Sequence, residues 1–64
     1  MVTINGEAVA ADGTTVAAYL AQAGYPVARV AVELNGAIVP RAAFEDTLLS
    51  AGDEVEIVAF VGGG

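Results

Sequence analysis

Hydrophobic and polar residues alternate at the start of the chain, in the stretch MVTINGEAVA. Val2 and Ile4 are separated by a polar residue, which is the period of a half-buried β-strand. The pair Asn5-Gly6 follows, and this dipeptide favours the two-residue type I′ turn of a hairpin. The stretch therefore predicts a β-hairpin in which Val2 lies opposite Val9 on the same face.

A helical period replaces the alternation after the turn-forming stretch ADGTT. Thr14 or Thr15 can accept hydrogen bonds from the first backbone N–H groups of a helix. Three apolar residues then share one helical face: Val16, Leu20 and Ala23. Gly24 suits the left-handed position after a helix, and Pro26 prevents continuation. We expect a helix of about two and a half turns.

Strand-like alternation returns in RVAVELNGAIVP. Its larger apolar residues share one face: Val30, Val32 and Leu34. Ala31 and Glu33 point to the opposite face. A second Asn-Gly pair, at 35–36, predicts another hairpin turn into Ile38 and Val39. Pro40 stops that strand or confines it to an edge of the sheet.

The stretch RAAFEDTLLSAGD has no clear period, and the final stretch EVEIVAFV alternates again. We expect Phe44, Leu48 and Leu49 to cover the end of the core. The last strand places four apolar residues on its core face: Val55, Ile57, Ala59 and Val61.

The opposite face of the last strand changes character along its length. Glu54 and Glu56 are polar, as a solvent-facing side should be, but Val58 and Phe60 are not. One interpretation is a docking patch for a partner protein, with an aromatic anchor beside acids that meet a basic rim. Two plainer interpretations stay open: single exposed apolar residues are common, and a register shift of one residue would turn the strand over.

The predicted order is hairpin, helix, then two or three strands. A helix lying across one face of a mixed sheet gives an α+β architecture, and in so short a chain this order matches the β-grasp, or ubiquitin-like, fold. We predict one domain over residues 1–61, followed by a flexible glycine tail formed by Gly62, Gly63 and Gly64.

The composition restricts the classes of function. The chain of 64 residues has eight acidic and two basic residues and a net charge of −6. Such a charge disfavours nucleic acid and anionic membranes, whose binding depends on cationic side chains. It suits a basic protein partner, although acidity can also serve solubility alone. No apolar run approaches the ~20 residues of a membrane helix, and no signal peptide is visible, so we expect a cytoplasmic protein.

Catalytic and metal-binding residue types are largely missing. Because the chain has no Cys, His or Lys, thiol chemistry, a zinc site and the common nucleophile–base pairs are excluded. We therefore predict no catalytic residue, no metal and no resident cofactor. The three terminal glycines lack side chains, so they could carry a terminal carboxylate into a narrow site. Alternatively, they are disordered filler.

Three segments together resemble the ThiS family of sulfur carrier proteins of thiamine biosynthesis: INGE near the start, VAVELNGAIVPR at 30–41 and AGDEVEIVAFVGGG at 51–64. The resemblance covers essentially the whole chain. A terminal Gly-Gly is shared by all activated ubiquitin-like carriers. The stretches NGAIVPR at 35–41 and GDEVEI at 52–57 narrow the resemblance to this family.

The resemblance implies a carrier that catalyses nothing itself. A ThiF-type, E1-like adenylyltransferase would use ATP to adenylate the carboxylate of Gly64. Sulfur from a persulfide enzyme would then give a glycyl thiocarboxylate or thioester at Gly64, and a ThiG-type thiazole synthase would take the sulfur. Val58, Phe60, Glu54 and Glu56 would dock the body of the carrier to its partner.

Three alternatives remain at the level of sequence. Sulfur carriers that serve molybdopterin or cysteine synthesis share the tail chemistry. A ubiquitin-like modifier would form isopeptide bonds, although the absence of lysine rules out lysine-linked chains of itself. A non-reactive interaction module would need no activated terminus.

Overall fold

A computed structural model describes residues 1–60 of the chain, in which a single mixed sheet forms beside one α-helix. The elements in chain order are β1 (Val2–Ile4), β2 (Glu7–Val9), α1 (Val16–Ala23), a first 3-10 turn (Val27–Arg29), β3 (Val30–Leu34), β4 (Ala37–Val39), a second 3-10 turn (Arg41–Ala43) and β5 (Glu54–Ala59). The predicted tail at 62–64 and its boundary at residue 61 lie outside the described residues.

The last strand lies at the centre of the sheet. The strand order is β2-β1-β5-β3-β4. β5 runs parallel to β1 and antiparallel to β3, while β1–β2 and β3–β4 are antiparallel hairpins. This topology confirms the predicted α+β, β-grasp fold and places Pro40 directly after the edge strand β4.

Both hairpins turn at the predicted Asn-Gly pairs. Asn5 and Asn35 have φ angles of 51° and 52°, and the glycines that follow them have φ angles of 84° and 85°. Positive φ at both central residues is the requirement of a type I′ turn. Val2 pairs with Val9, as predicted from the turn length.

The helix begins and ends at the predicted residues. The hydroxyl oxygen of Thr15 accepts a hydrogen bond of 3.1 Å from the backbone N–H of Ala18. Gly24, in the left-handed conformation, ends the helix. Val16 and Leu20 are buried, but Ala23 is exposed. The buried face of the helix therefore ends at Leu20 and, contrary to the prediction from sequence, does not include Ala23. Ala23 is the last residue of the helix.

The core lies between the helix and one face of the sheet. Twelve apolar residues are buried in it: Val2, Ile4, Ala11, Val16, Leu20, Val30, Val32, Val39, Phe44, Leu49, Val55 and Ile57. Phe44 and Leu49 cover the core as predicted. Leu48 does not cover the core. Its side chain points away from that of the buried Leu49, its neighbour in the chain, and is 59% exposed.

Candidate functional site

The central strand β5 separates the core from an open outer face. Val55 and Ile57 are buried, whereas Val58 and Phe60 are 56% and 57% exposed. Glu54 and Glu56 are exposed on the same side as Val58. The register predicted for this strand is therefore confirmed, and the four residues proposed for docking share one solvent-facing side.

Ala59 departs from the alternation. It was predicted on the core face but is exposed. The pairing of β5 with β1 includes only Glu54 and Val55, whereas the pairing with β3 continues to Ala59 opposite Val30. At Ala59 the sheet therefore has a paired neighbour on one side only, so the residue is reached by solvent.

Neighbouring strands extend the outer face. Ala31 lies opposite Val58, and Glu33 lies opposite Glu56 in the antiparallel β3–β5 ladder. Thr3 of β1 lies opposite Glu54 on the other side. We call this surface the docking face and define it by six residues: Ala31, Glu33, Glu54, Glu56, Val58 and Phe60. Its apolar part lies near the end of β5 and its acidic part near the beginning.

The acidic part of the docking face contains a like-charge pair. Two carboxylates directly opposite each other across an antiparallel pair destabilise a sheet. Within residues 1–60 the one ion pair joins the amino group of Met1 to Asp12 at 3.0 Å, so no arginine neutralises Glu33 or Glu56. A shallow depression lies between these acids and the turn at Asn35-Gly36. The face therefore presents concentrated negative charge to an approaching molecule.

The turn before β5 is fixed by a second acid. The carboxamide of Asn35 donates to Asp53 at 3.0 Å, and the backbone N–H of Ser50 donates to its other carboxylate oxygen at 2.8 Å. These two hydrogen bonds hold the pKa of the Asp53 carboxyl below its ordinary value. Asn35 also accepts a 2.9 Å bond from the N–H of Glu54, so the turn, the acid and the first residue of β5 form one connected group.

The end of β5 is held against the segment that precedes β3. The backbone N–H of Phe60 donates a hydrogen bond of 2.7 Å to the carbonyl of Arg29. Phe60 is the last residue that the structure describes, and the predicted sulfur-carrying Gly64, with Gly62 and Gly63, lies outside the described residues. The structure thus fixes the backbone at Phe60, two residues before the predicted tail.

Sequence reasoning missed the part that Asn5 plays at this site. Its carboxamide donates to the carbonyl of Ile57 at 3.2 Å and accepts from the N–H of the same residue at 2.8 Å. The side chain thereby continues the pairing of β5 after β1 ends. The Asn-Gly signal was visible in the sequence, but it identifies a turn and says nothing about the strand that the turn will contact.

Other kinds of site are not apparent in the part of the chain that the structure describes. Among residues 1–60, no group of three acidic side chains lies close enough together to hold a metal ion. No described helix is both long and apolar enough to span a membrane.

Comparison with known proteins connects this arrangement to one family. A family model described as the ThiS family matches residues 1–64. The chain is similar to the crystal structure of a thiamine biosynthesis protein (ThiS) from Geobacter metallireducens, with 37% identity and a TM-score of 0.78. The similarity covers 98% of this chain and 97% of that one.

Two curated relatives are considerably longer. A thiazole synthase from Paramagnetospirillum magneticum is 46% identical over 50 residues, which is 78% of this chain and 15% of the relative. A thiazole synthase from Magnetococcus marinus is 40% identical over 62 residues, which is 95% of this chain and 19% of the relative. The chain therefore spans less than a fifth of the length of these two proteins.

Proposed function

This chain belongs to the ThiS family, and from that membership we propose that it is a sulfur carrier protein of thiamine biosynthesis. The observation that carries the proposal is the family match over residues 1–64, which includes the terminal glycines. The carrier is a co-substrate in this proposal, since its own residues include no Cys, His or Lys to act on a substrate.

The proposed chemistry begins at the carboxylate of Gly64. One carboxylate oxygen attacks the α-phosphate of ATP on a ThiF-type adenylyltransferase, which forms an acyl-adenylate and releases pyrophosphate. The terminal sulfur of an enzyme persulfide then attacks the acyl carbon, and AMP leaves with the bonding electron pair. A thiol reduces the S–S bond of the resulting acyl persulfide and becomes a disulfide, which leaves a thiocarboxylate on Gly64.

The second half of the proposed cycle returns the carrier to its starting form. A ThiG-type thiazole synthase takes the sulfur of the thiocarboxylate into the thiazole ring, together with deoxyxylulose phosphate and an imine derived from glycine. The terminal carboxylate is restored. ATP is thus used by the activating enzyme, and no cofactor is held permanently by the carrier.

Glycine at 62–64 suits this delivery. Three residues reach about 10 Å when extended, and without Cβ atoms they fit a narrow channel. Ordering each residue costs on the order of 1–2 kcal/mol, so the partner has to gain binding energy elsewhere on the carrier.

The docking face is the surface that we propose supplies this binding energy. Phe60 and Val58 are large and exposed, and they lie two and four residues before the first glycine of the predicted tail. Aromatic anchors surrounded by polar groups are characteristic of the energetic centre of protein interfaces. The acids Glu54 and Glu56 would then meet basic residues at the rim of the partner.

The names of the curated relatives support the thiamine pathway over the alternatives. Two proteins named thiazole synthase contain, within a longer chain, a segment similar to most of this one. Such a segment beside a synthase favours a ThiG-type partner over the molybdopterin and cysteine pathways. It gives no support to a ubiquitin-like modifier.

The proposal is tested by reconstitution with a ThiF-type enzyme. We expect exchange of pyrophosphate into ATP that depends on the carrier, and no exchange with a matched chain that lacks residues 62–64. Addition of thiol, a persulfide donor and a ThiG-type synthase with its two small substrates should then consume the sulfur, whereas the large subunit of molybdopterin synthase should not. If the intact chain supports no exchange, the proposed function is wrong.

A further inference from the structure

Arg41 binds backbone carbonyls instead of an acid. Its Nε donates to the carbonyl of Val27 at 3.1 Å, and one terminal nitrogen, Nη2, donates to the carbonyls of Ala28 and Val30 at 3.3 and 3.4 Å. Arg41 belongs to no ion pair within the described residues. The side chain of Arg41 therefore has an intramolecular position.

The segment that Arg41 binds is the one that holds the end of β5. The three acceptor carbonyls belong to residues on either side of Arg29 in the chain. The carbonyl of Arg29 itself accepts the 2.7 Å hydrogen bond from the backbone N–H of Phe60. Val30, the last of the three acceptors, lies opposite Ala59 in the β3–β5 ladder. The guanidinium therefore binds residues on both sides of Arg29, whose carbonyl holds the Phe60 amide.

We propose that Arg41 is a positioning residue for the sulfur-carrying terminus. Its guanidinium fixes the 3-10 turn at Val27–Arg29, and that turn fixes the backbone of Phe60. The position of the Phe60 backbone, four residues before Gly64, is set in this way before a partner binds. This proposal rests on the proposed function, because it assigns the residue a role in delivering Gly64.

The chemistry of arginine explains why this residue type suits the position. A planar guanidinium carries several N–H donors at fixed angles, so a single side chain can bind carbonyls that point in different directions. A lysine ammonium on a flexible stem offers donors without that fixed geometry. Hydrogen bonds from a charged donor are also stronger than those between neutral groups.

Positioning of this kind predicts a specific kinetic effect. If the start of the tail is loose in the free carrier, the partner has to order it on binding, and the cost falls on binding and not on the chemical step. For Arg41→Ala we expect KM for the carrier to rise about tenfold in the exchange of pyrophosphate into ATP, with kcat unchanged within about twofold. Arg41→Lys should lie between Arg41→Ala and the unmodified chain.

Amide hydrogen exchange measured by NMR tests the structural step without any enzyme. In Arg41→Ala the exchange of the Phe60 amide should accelerate at least about tenfold, while the Ile57 amide, which is bound by Asn5, changes by less than about twofold. Thr15→Ala is the matched control, because it removes one hydrogen bond at the start of α1 and leaves the first 3-10 turn untouched.

The outcomes separate this proposal from the proposed function. An unchanged Phe60 amide in Arg41→Ala overturns the positioning role, whatever the activity. So does an equal rise of KM in Thr15→Ala, measured where all variants are fully folded, since the effect would then not be specific to the hydrogen bonds of Arg41. If the unmodified chain supports no exchange of pyrophosphate into ATP, the proposed function is refuted instead. The amide hydrogen exchange measurement then still decides whether Arg41 fixes Phe60.

Discussion

Two asparagines have a role beyond the turns that they form. Asn5 and Asn35 both adopt positive φ, and the side chain of each also binds β5, at Ile57 and Glu54 respectively. Each therefore fixes a hairpin to the strand that ends at the proposed tail. The local sequence predicts the turn because the turn is a local property, but the bridging bond depends on a strand some 20 to 50 residues away.

Phe60 is the residue at which the docking proposal is most easily tested. Because its side chain is 57% exposed, Phe60→Ala should leave the thermal unfolding midpoint nearly unchanged. Loss of an aromatic anchor typically weakens binding by about 1–3 kcal/mol, which is about fivefold to 150-fold in Kd. Calorimetric titration with the activating enzyme measures the second quantity and thermal denaturation the first.

Leu48→Ala is the control for this experiment. Leu48 is 59% exposed but lies in the loop before β5, where it forms an isolated bridge with Thr15. It should bind the partner as the unmodified chain does. A large fall in the midpoint of Phe60→Ala, or equal weakening in both variants, would show that Phe60 is not a docking anchor.

At the scale of elements, the sequence predicts the helix, strands and turns, but it does not predict the burial of side chains near the ends of those elements. The hairpins, the helix cap, the order of the elements and the two faces of β5 all followed from local patterns. Ala23, Leu48 and Ala59 were assigned to the core and are exposed. Each lies near the end of an element or in a loop, where the neighbouring elements stop and a periodic pattern no longer determines what covers a side chain.

The Asp53 turn that leads into β5 predicts a dependence on pH. Since hydrogen bonds from Asn35 and Ser50 lower the folded pKa of Asp53, its contribution to stability is present above the ordinary aspartate pKa of about 3.9. That contribution is lost as the pH falls through the lower folded value. Asp53→Asn should therefore be slightly less stable than the unmodified chain at neutral pH, and the difference should vanish in acid.

Asp46→Asn is the matched control for this titration. Asp46 is exposed, and its carboxylate makes no hydrogen bond within residues 1–60. Denaturant unfolding at a series of pH values measures both variants. A stability difference for Asp53→Asn that grows toward low pH would contradict the assigned cause.

At the scale of the whole molecule, charge is distributed unevenly over a small body. The chain carries a net charge of −6, and three of its acids lie on the docking face: Glu33, Glu54 and Glu56. Both arginines lie instead at the two 3-10 turns. The like-charge pair lowers stability, and we attribute its presence to attraction of a basic partner.

Glu56→Gln separates stability from binding. Removing one member of the opposed pair should raise the free energy of unfolding by about 0.2–1 kcal/mol. The association rate constant with the activating enzyme should fall severalfold at low salt and converge with that of the unmodified chain at high salt.

Glu45→Gln makes the same change of charge away from the docking face, and it should alter neither quantity appreciably. Stopped-flow association and denaturant unfolding measure the two effects. If Glu56→Gln destabilises the fold, or associates as fast as Glu45→Gln, the acidic part of the face has no part in docking.

Intact mass spectrometry of the chain after incubation with a ThiF-type enzyme, ATP, a persulfide donor and thiol tests the central claim most directly. We predict a species heavier by the mass difference between sulfur and oxygen, which alkylation modifies and which a chain that lacks residues 62–64 does not form. If all components are active and this species never appears, the chain is not a sulfur carrier.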